Sequence, residues 1–248
     1  MKIAESTVMV TGANRGLGKA LVEEALKRGA KRVYAGMRQP RDHADPRITS
    51  VTLDVTNAAQ IRAAADKVGS LDILINNAGI SVQNDLGDRA ALERLLAVNL
   101  FGTYDMTQAF LPALARSRGS IVNVLSLAAI AAVPFDPLYS ISKAAAFSLS
   151  QSLRALLAGK GMTVHTVLPG PIDTDMTRAL DVPKASAESV ARAILDGVEN
   201  EDEEIFPDPV SEAIAEGWRS SAVKALQRQF AAYLDQTPVK SSARGQAA

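Results

Sequence analysis

Residues 7–18 read TVMVTGANRGLG: a short run of valines and threonines, three glycines within the next seven positions, and then at once the helical pattern LGKALVEEALKRG over 17–29. Glycines at a strand-to-helix turn let the backbone come close to a pyrophosphate, and the N-terminus of the following helix attracts that anion. The spacing is G-x-x-x-G-x-G and not G-x-G-x-x-G, so the motif has to be argued from context. A turn that only tightens a strand–helix connection would read the same.

The context is a chain in which apolar, β-rich runs alternate with helical patterns almost throughout, which reads as strand–helix repeats building a parallel sheet. Strands are expected over 7–11, 32–36, 48–53, 71–76, 119–125 and 162–168, with a weaker seventh over 204–206. Helices are expected over 16–28, 58–68, 90–111, 139–158, 186–198 and 210–234. The fold class is therefore α/β: a doubly wound parallel sheet of the Rossmann type, about seven strands with helices on both faces. With 248 residues, 47% of them hydrophobic, and no long Pro/Gly/Ser-rich linker or internal repeat, a single domain over 1–236 is expected. Residues 200–236 form its more individual C-terminal strand and helix, and 237–248 a flexible tail.

Composition narrows the function classes. Lys and Arg number 27 and so do Asp and Glu, so the chain lacks the basic excess of a nucleic-acid binder. No run approaches the ~20 apolar residues of a membrane span. There is no cysteine, which removes disulfides and thiolate metal sites and suits a cytoplasmic setting. The beginning, MKIAESTVMVTG, lacks the form of a secretory signal. With His43 in a polar loop and His165 in a strand, neither a histidine triad nor a metal site is expected.

Chemistry concentrates in residues 125–143, LSLAAIAAVPFDPLYSISK. Tyr139 and Lys143 are four apart at the head of an alanine-rich helix, so they share a face. A phenol with a reference pKa near ~10 is a weak acid at neutrality, and a neighbouring ammonium favours its ionised form. Lys143 can thus make Tyr139 a usable proton donor and acceptor, while Ser126 can hydrogen-bond an oxygen on which charge develops. Taken alone, a Tyr-x-x-x-Lys pair is more often solvated surface than catalytic machinery.

Other candidates follow the carboxyl ends of the expected strands, where open parallel sheets bind ligands. They are the turn Gly12, Asn14, Arg15, Gly16, Leu17 and Gly18; Arg38; Asp54 and Val55; Asn77, Ala78 and Gly79; and Pro169, Gly170, Ile172 and Thr174. About twenty residues beyond the glycine turn an acid would hold a ribose 2′-hydroxyl, whereas an arginine accommodates a 2′-phosphate. Arg38 stands at that place with Arg15 expected on the same side, which favours NADP(H) over NAD(H), although Asp42 lies nearby. Asp54 reads equally as an adenine contact or as a helix cap, and Thr174 as a ligand contact or a cap. Asn99, inside an apolar helical run, either repairs a local irregularity or takes part in chemistry.

In order and spacing, TGANRGLG, NNAG, Asn99 in VNLFG, Ser126, YSISK and PGPIDT resemble the short-chain dehydrogenase/reductase family in its single-domain branch, over about Thr7 to Asp175. The resemblance implies an NAD(P)-dependent interconversion of a carbonyl and an alcohol. Tyr139 would be the general acid/base, and Lys143 would lower its pKa and hold the nicotinamide ribose. Ser126 would bind the substrate oxygen, Asn99 would support a water-mediated proton relay to Lys143, and Thr174 would contact the nicotinamide carboxamide. An NAD-dependent alcohol dehydrogenase and a cofactor-sensing protein without turnover are the alternatives.

Beyond Asn200 the chain departs from the family pattern: EDEE, then IFPDP, then a helical run carrying Trp218, Leu226, Phe230 and Leu234. Pro207 and Pro209 would confine a strand there to a sheet edge. A homodimer or homotetramer is expected, with the usual tetramer in doubt. Ile80, Val82, Leu127, Val133, Phe135, Met176 and Leu180 are candidates for an apolar pocket, which would suit a hydrophobic ketone or aldehyde.

Overall fold

Val8 and Val10 on one side of a strand and Met9 on the other enter two separate cores, so the first strand is buried on both faces. That is the signature of a parallel sheet covered by helices above and below. The structure, a computed structural model, describes residues 1–82 and 86–236, without the side chains of 233–236. The tail expected from Thr237 onward, and the Leu234 side chain, lie outside the described residues.

Seven strands form one sheet in the order β3-β2-β1-β4-β5-β6-β7. They are β1 (Thr7–Thr11), β2 (Arg32–Met37), β3 (Ile48–Thr52), β4 (Ile73–Asn76), β5 (Ser120–Val124), β6 (Thr163–Val167) and β7 (Glu204–Ile205). Every neighbouring pair is parallel. Strand order reverses between β1 and β4, so the switch point lies there.

Helices α1 (Gly16–Lys27) and α6 (Ala187–Glu199) pack with Val8, Val10, Ile73, Ile75 and Val122 on one face. On the other, α2 (Ala58–Val68), α4 (Thr103–Ser117) and α5 (Pro137–Ala158) close over Met9, Leu74, Ile121 and Val164. The period-two alternation of each strand decides which residue goes to which face.

Two expected helices are each divided. The run over 90–111 is α3 (Arg89–Leu96), a π-helical turn over Ala97–Gly102, and α4, which continues to Ser117. The π turn is centred on Asn99, and its last residue presses on Val55: a Cβ at Gly102 would lie 2.7 Å from Val55 Cγ2. The run over 210–234 is α7 (Pro209–Arg219) and α8 (Ala222–Gln236), broken at Ser220–Ser221. Pro209 stands at the start of α7, where its missing N–H costs nothing, and Asp208 and Ser211 make a capping box. The short β7 is an edge strand, as the prolines require.

That edge is covered. Lys224 of α8, 2% exposed, donates to Glu203 at 2.6 Å and to both carboxylate oxygens of Glu204 at 2.9 and 2.7 Å. Arg154 of α5 meets Glu204 from the other side at 2.6 Å. Breaking a buried ion pair costs about 3–5 kcal/mol because an uncompensated charge stays behind. Lys224→Ala should therefore lower unfolding free energy by about 3 kcal/mol, the low end because Arg154 still neutralises Glu204, as read by urea denaturation. A loss below ~1 kcal/mol would mean that the cluster does not hold α8 to the sheet.

Candidate active site

At the switch point β1 and β4 end side by side and are tied together by side chains. Thr11 Oγ1 accepts from the backbone N–H groups of Asn77 at 3.0 Å and Ala78 at 2.9 Å. Asn77 Nδ2 donates back to Thr11 O at 2.9 Å. The turn that follows is as tight as its glycines permit. Gly12 has φ +67, and a Cβ on Gly18 would lie 2.2 Å from Gly12 O. The first turn of α1 carries no acidic residue, and Arg15, its N-cap, makes no side-chain cap, so the N–H groups at this terminus are open to an anion.

Beside the turn the two candidate arginines separate. Arg38 is exposed at the end of β2 and close enough to Asp54 to help hold that carboxyl below its usual range, behind the larger effect of Thr56, which donates to Asp54 through hydroxyl and backbone. Arg15 instead forms an ion pair with Asp175 at 2.8 Å, reaching across to the segment after β6. A carboxylate distant in sequence thus pairs with Arg15. The capping alternative for Asp54 falls, because Asn57 caps α2 through Ala59 and Gln60.

The loop after β6 closes on the same turn, with Thr174 Cγ2 3.1 Å from where a Gly16 Cβ would be. Thr174 precedes a 3-10 turn and makes no side-chain cap there, leaving the ligand-contact reading in place. Gly170 N donates to Asp208 Oδ2 at 2.8 Å, and Pro169 O accepts from Leu127 N at 3.0 Å, which joins this loop to the end of β5. Asn14 is exposed, whereas Leu17, Val55 and Ile172 point their side chains into the core and can offer a ligand only backbone.

Ser126 stands two residues past β5, close enough to Tyr139 to act on its phenol, and its Oγ accepts from Ala128 N at 3.1 Å. Lys143, one turn further along α5, is 5% exposed. Its Nζ donates to Val124 O at 3.1 Å and stands 5.6 Å from the centroid of the Tyr139 ring. Gly79 lies between the end of β4 and α5, where a Cβ would be 3.3 Å from Asn99 Oδ1 and 3.6 Å from Lys143 Nζ. Ser126, Tyr139, Lys143 and Gly79 thus share one small space.

Asn99 borders that space, but its amide is fully used. Oδ1 accepts from Ile80 N, and Nδ2 donates to Ile80 O and to Ser142 Oγ, each at 2.9 Å. The side chain fastens the π turn to the loop after β4 and to α5, so the repair reading is realised, while the main-chain O of Asn99 accepts from Thr103 Oγ1 at 3.2 Å. Two contributors passed unnoticed in the sequence. Thr11 looked like any strand-end threonine, and Asn123, fully buried in β5, accepts from Asn76 and donates to Ser150, both at 2.9 Å. An asparagine inside an apolar strand was the available signal for the second.

Burial dominates the electrostatics. The Tyr139 phenol is pushed up to about 12, chiefly by lost hydration; the Ser126 hydrogen bond opposes this and the Asp136 carboxylate adds to it. The same desolvation pushes Lys143 down to about 8. The expected lowering of the phenol by its lysine is not the net result here, because desolvation is the largest influence on it.

The model of the short chain dehydrogenase family matches residues 6–184. This chain belongs to the short-chain dehydrogenase/reductase family. It is 33% identical over 199 residues to the 3-oxoacyl-acyl-carrier-protein reductase FabG of Vibrio cholerae, covering 75% of this chain and 82% of that one. With the ketoacyl reductase HetN of a Nostoc species it shares 32% over 232 residues, 84% of this chain and 81% of the other. A short chain dehydrogenase from Burkholderia cenocepacia, solved in complex with NADP, superposes with a TM-score of 0.85 at 38% identity, covering 92% of this chain and 98% of that one.

For a short-chain dehydrogenase/reductase the buried lysine carries a stability cost. The unfolded chain binds a proton that the folded one gives up between about pH 8 and 10.5, so this group costs most below pH 8 and the cost fades as pH rises through that window. A displacement of that size corresponds to about 3 kcal/mol, of which the lost bond to Val124 O returns about 1 kcal/mol. Lys143→Met should stabilise the fold by about 2 kcal/mol at pH 7, with the gain disappearing by about pH 10.5 in urea titrations across pH. An advantage that does not change with pH would sink this account.

Proposed function

We propose that the protein is an NADP(H)-dependent oxidoreductase that interconverts a ketone or aldehyde and the corresponding alcohol, with Tyr139 as general acid/base. The observation that carries the reading is the meeting of Ser126, Tyr139 and Lys143 beside Gly79, on the rim that also holds the glycine turn.

The residues present fit a nicotinamide dinucleotide. The Gly12–Gly18 turn and the open N–H groups of α1 suit a pyrophosphate, and Arg38, exposed and without an ion-pair partner among the described residues, suits a 2′-phosphate. Asp54, Val55, Asn77, Ala78, Pro169, Gly170, Ile172 and Thr174 would complete the binding rim. The NADP in the Burkholderia cenocepacia structure supports the same choice. The bound nicotinamide supplies or accepts the hydride.

Everything else falls to the chain itself. In reduction Tyr139 gives its hydroxyl proton to the carbonyl oxygen, and Ser126, beside Tyr139, steadies that oxygen as charge develops. Lys143 stands beside the phenol and would pass a proton back to it. Water is held off by the apolar group of Ala91, Leu95 and Leu138 with Ile80 and Val82, against which Tyr139 packs. Phe135 and Met176, 68% and 49% exposed, offer apolar surface at the rim, in keeping with a hydrophobic carbonyl substrate.

We place the enzyme in the cytoplasm as a homo-oligomer. Of the 22 residues of α5 only Lys143 and Arg154 are charged, and both are committed inward, leaving an outer face with Ile141 and Leu156 that suits a second copy. No helix among the described residues is long and apolar enough to cross a membrane.

Two variants test the reading. Tyr139→Phe should bind NADPH normally, as followed by cofactor fluorescence, while ketone reduction falls by about a thousandfold; wild-type turnover in that variant would be fatal. Arg38→Asp should move the NADPH-to-NADH ratio of kcat/KM toward NADH by about tenfold or more, and an unchanged ratio would remove Arg38 from cofactor choice.

A further inference from the structure

Asp175 puts a negative charge beside the turn that suits a pyrophosphate. It follows Thr174, whose Cγ2 lies 3.1 Å from where a Gly16 Cβ would be, and its Oδ2 accepts from Arg15 Nη1 at 2.8 Å. Arg15 is the residue that heads α1. A carboxylate so placed opposes an incoming phosphate by like-charge repulsion and, by pairing with Arg15, withholds a cation from it. An acid in that position calls for a physical reason.

The acid is fixed by its own segment. The loop after β6 is closed at its base by a bridge between Ile172 and Ala185, where Asp173 N donates to Ala185 O at 2.8 Å and Ala185 N to Pro171 O at 3.0 Å. Within that base Thr177 Oγ1 donates to Ile172 O, and Thr177 N donates to Thr174 O at 3.2 Å. Asp175 also has a second cation, because Arg178 Nη2 donates to its Oδ1. It stays neutralised if Arg15 turns elsewhere.

Arg15 is the movable partner. Its side chain is 68% exposed, it makes no helix cap, and Asp175 is its one ion-pair partner among the described residues. Lys19, the next cation along α1, is taken by Glu23 at 3.5 Å. An exposed ion pair favours its partners by no more than about fivefold. A phosphate offers the same guanidinium two parallel charge-assisted bonds, which are stronger than that. Two anions thus compete for one cation, and the carboxylate is the weaker competitor.

We propose that Asp175 sets the affinity of the cofactor site by competing with a phosphate of the dinucleotide for Arg15, so that binding exchanges one partner of Arg15 for the other while Arg178 keeps Asp175 neutralised. The inference rests on the reading of the chain as a nicotinamide-dependent oxidoreductase. Asp175 acts through Arg15 and touches neither substrate nor reacting atoms, so its effect belongs to cofactor affinity and depends on the arginine.

The test is calorimetric titration of the full chain with NADPH and with NADH. Asp175→Asn, which keeps an acceptor oxygen for Arg178 and removes the charge, should tighten NADPH by about threefold to fivefold. An equal gain for NADH assigns the exchange to the pyrophosphate, and a gain confined to NADPH assigns it to the 2′-phosphate. In an Arg15→Met background the gain should vanish, since the cation for which the anions compete is gone. Unchanged or weaker binding in Asp175→Asn, or a gain that persists without Arg15, overturns the inference. A wild-type chain that takes up neither cofactor overturns the proposed function instead. Asp175→Ser gives the same comparison if the asparagine variant fails to fold.

Discussion

Two strand ends held a hydrogen bond apart at the middle of the sheet are the constraint on which the rest depends. Thr11 and Asn77 bind β1 and β4 to one another where strand order reverses, and the turn leaving β1 passes so close behind them that position 18 has no room for a Cβ. The same closeness leaves the start of α1 bare of side-chain caps, a gap a bound anion would fill. If the strand ends spread, the glycine turn would relax, and the rim from Arg38 to Thr174 would lose its common origin.

From that point a polar seam runs through an otherwise apolar interior to the helix that bears Tyr139. Asn76 donates to Thr107 of α4 and to Asn123 of β5, and Asn123 donates to Ser150 of α5. Asn99 and Ser142 make a second tie nearer the helix start. Apolar packing alone tolerates a helix sliding or turning by a fraction of a residue, whereas directional bonds at two heights fix both its rotation and its register. Tyr139 and Lys143 are placed by these ties as much as by the core beneath them.

The sheet was legible because each strand follows a rule of period two and each crossover a rule of length. All seven strands lie where the alternation of apolar runs puts them, to within a residue or two at most ends. What was not legible depended on partners far away in the chain. Arg15 reads as a free cation until Asp175, 160 residues later, is brought against it. The π turn is announced only by an asparagine out of place, and local sequence does not say that its amide will find Ile80. The division between α7 and α8 falls at Ser220–Ser221, with neither proline nor glycine to mark it, because α8 is pulled by the ion cluster at Glu204 and not by a local breaker. The two readings of Asp54 stay level in the sequence for a smaller reason: Asp54 and Asn57 are both good caps, and α2 begins only after the second.

The pairing of a phenol with a lysine looks from the sequence like a device for making a stronger acid, and the folded chain complicates it. Burial drives both groups toward their uncharged forms, the phenol upward and the ammonium downward, so proximity alone leaves the pair poorly charged. On the proposed function, charge would be restored by the reactants: a negative group near Lys143 would favour its ammonium, and an oxygen gaining charge at Ser126 would draw the proton from Tyr139. A pair buried in this way costs stability, and on the proposed function a ligand beside it would supply the missing charge. That order, in which the ligand completes the electrostatics, follows from where the chain buries its tyrosine and lysine and not from the identity of the two residues.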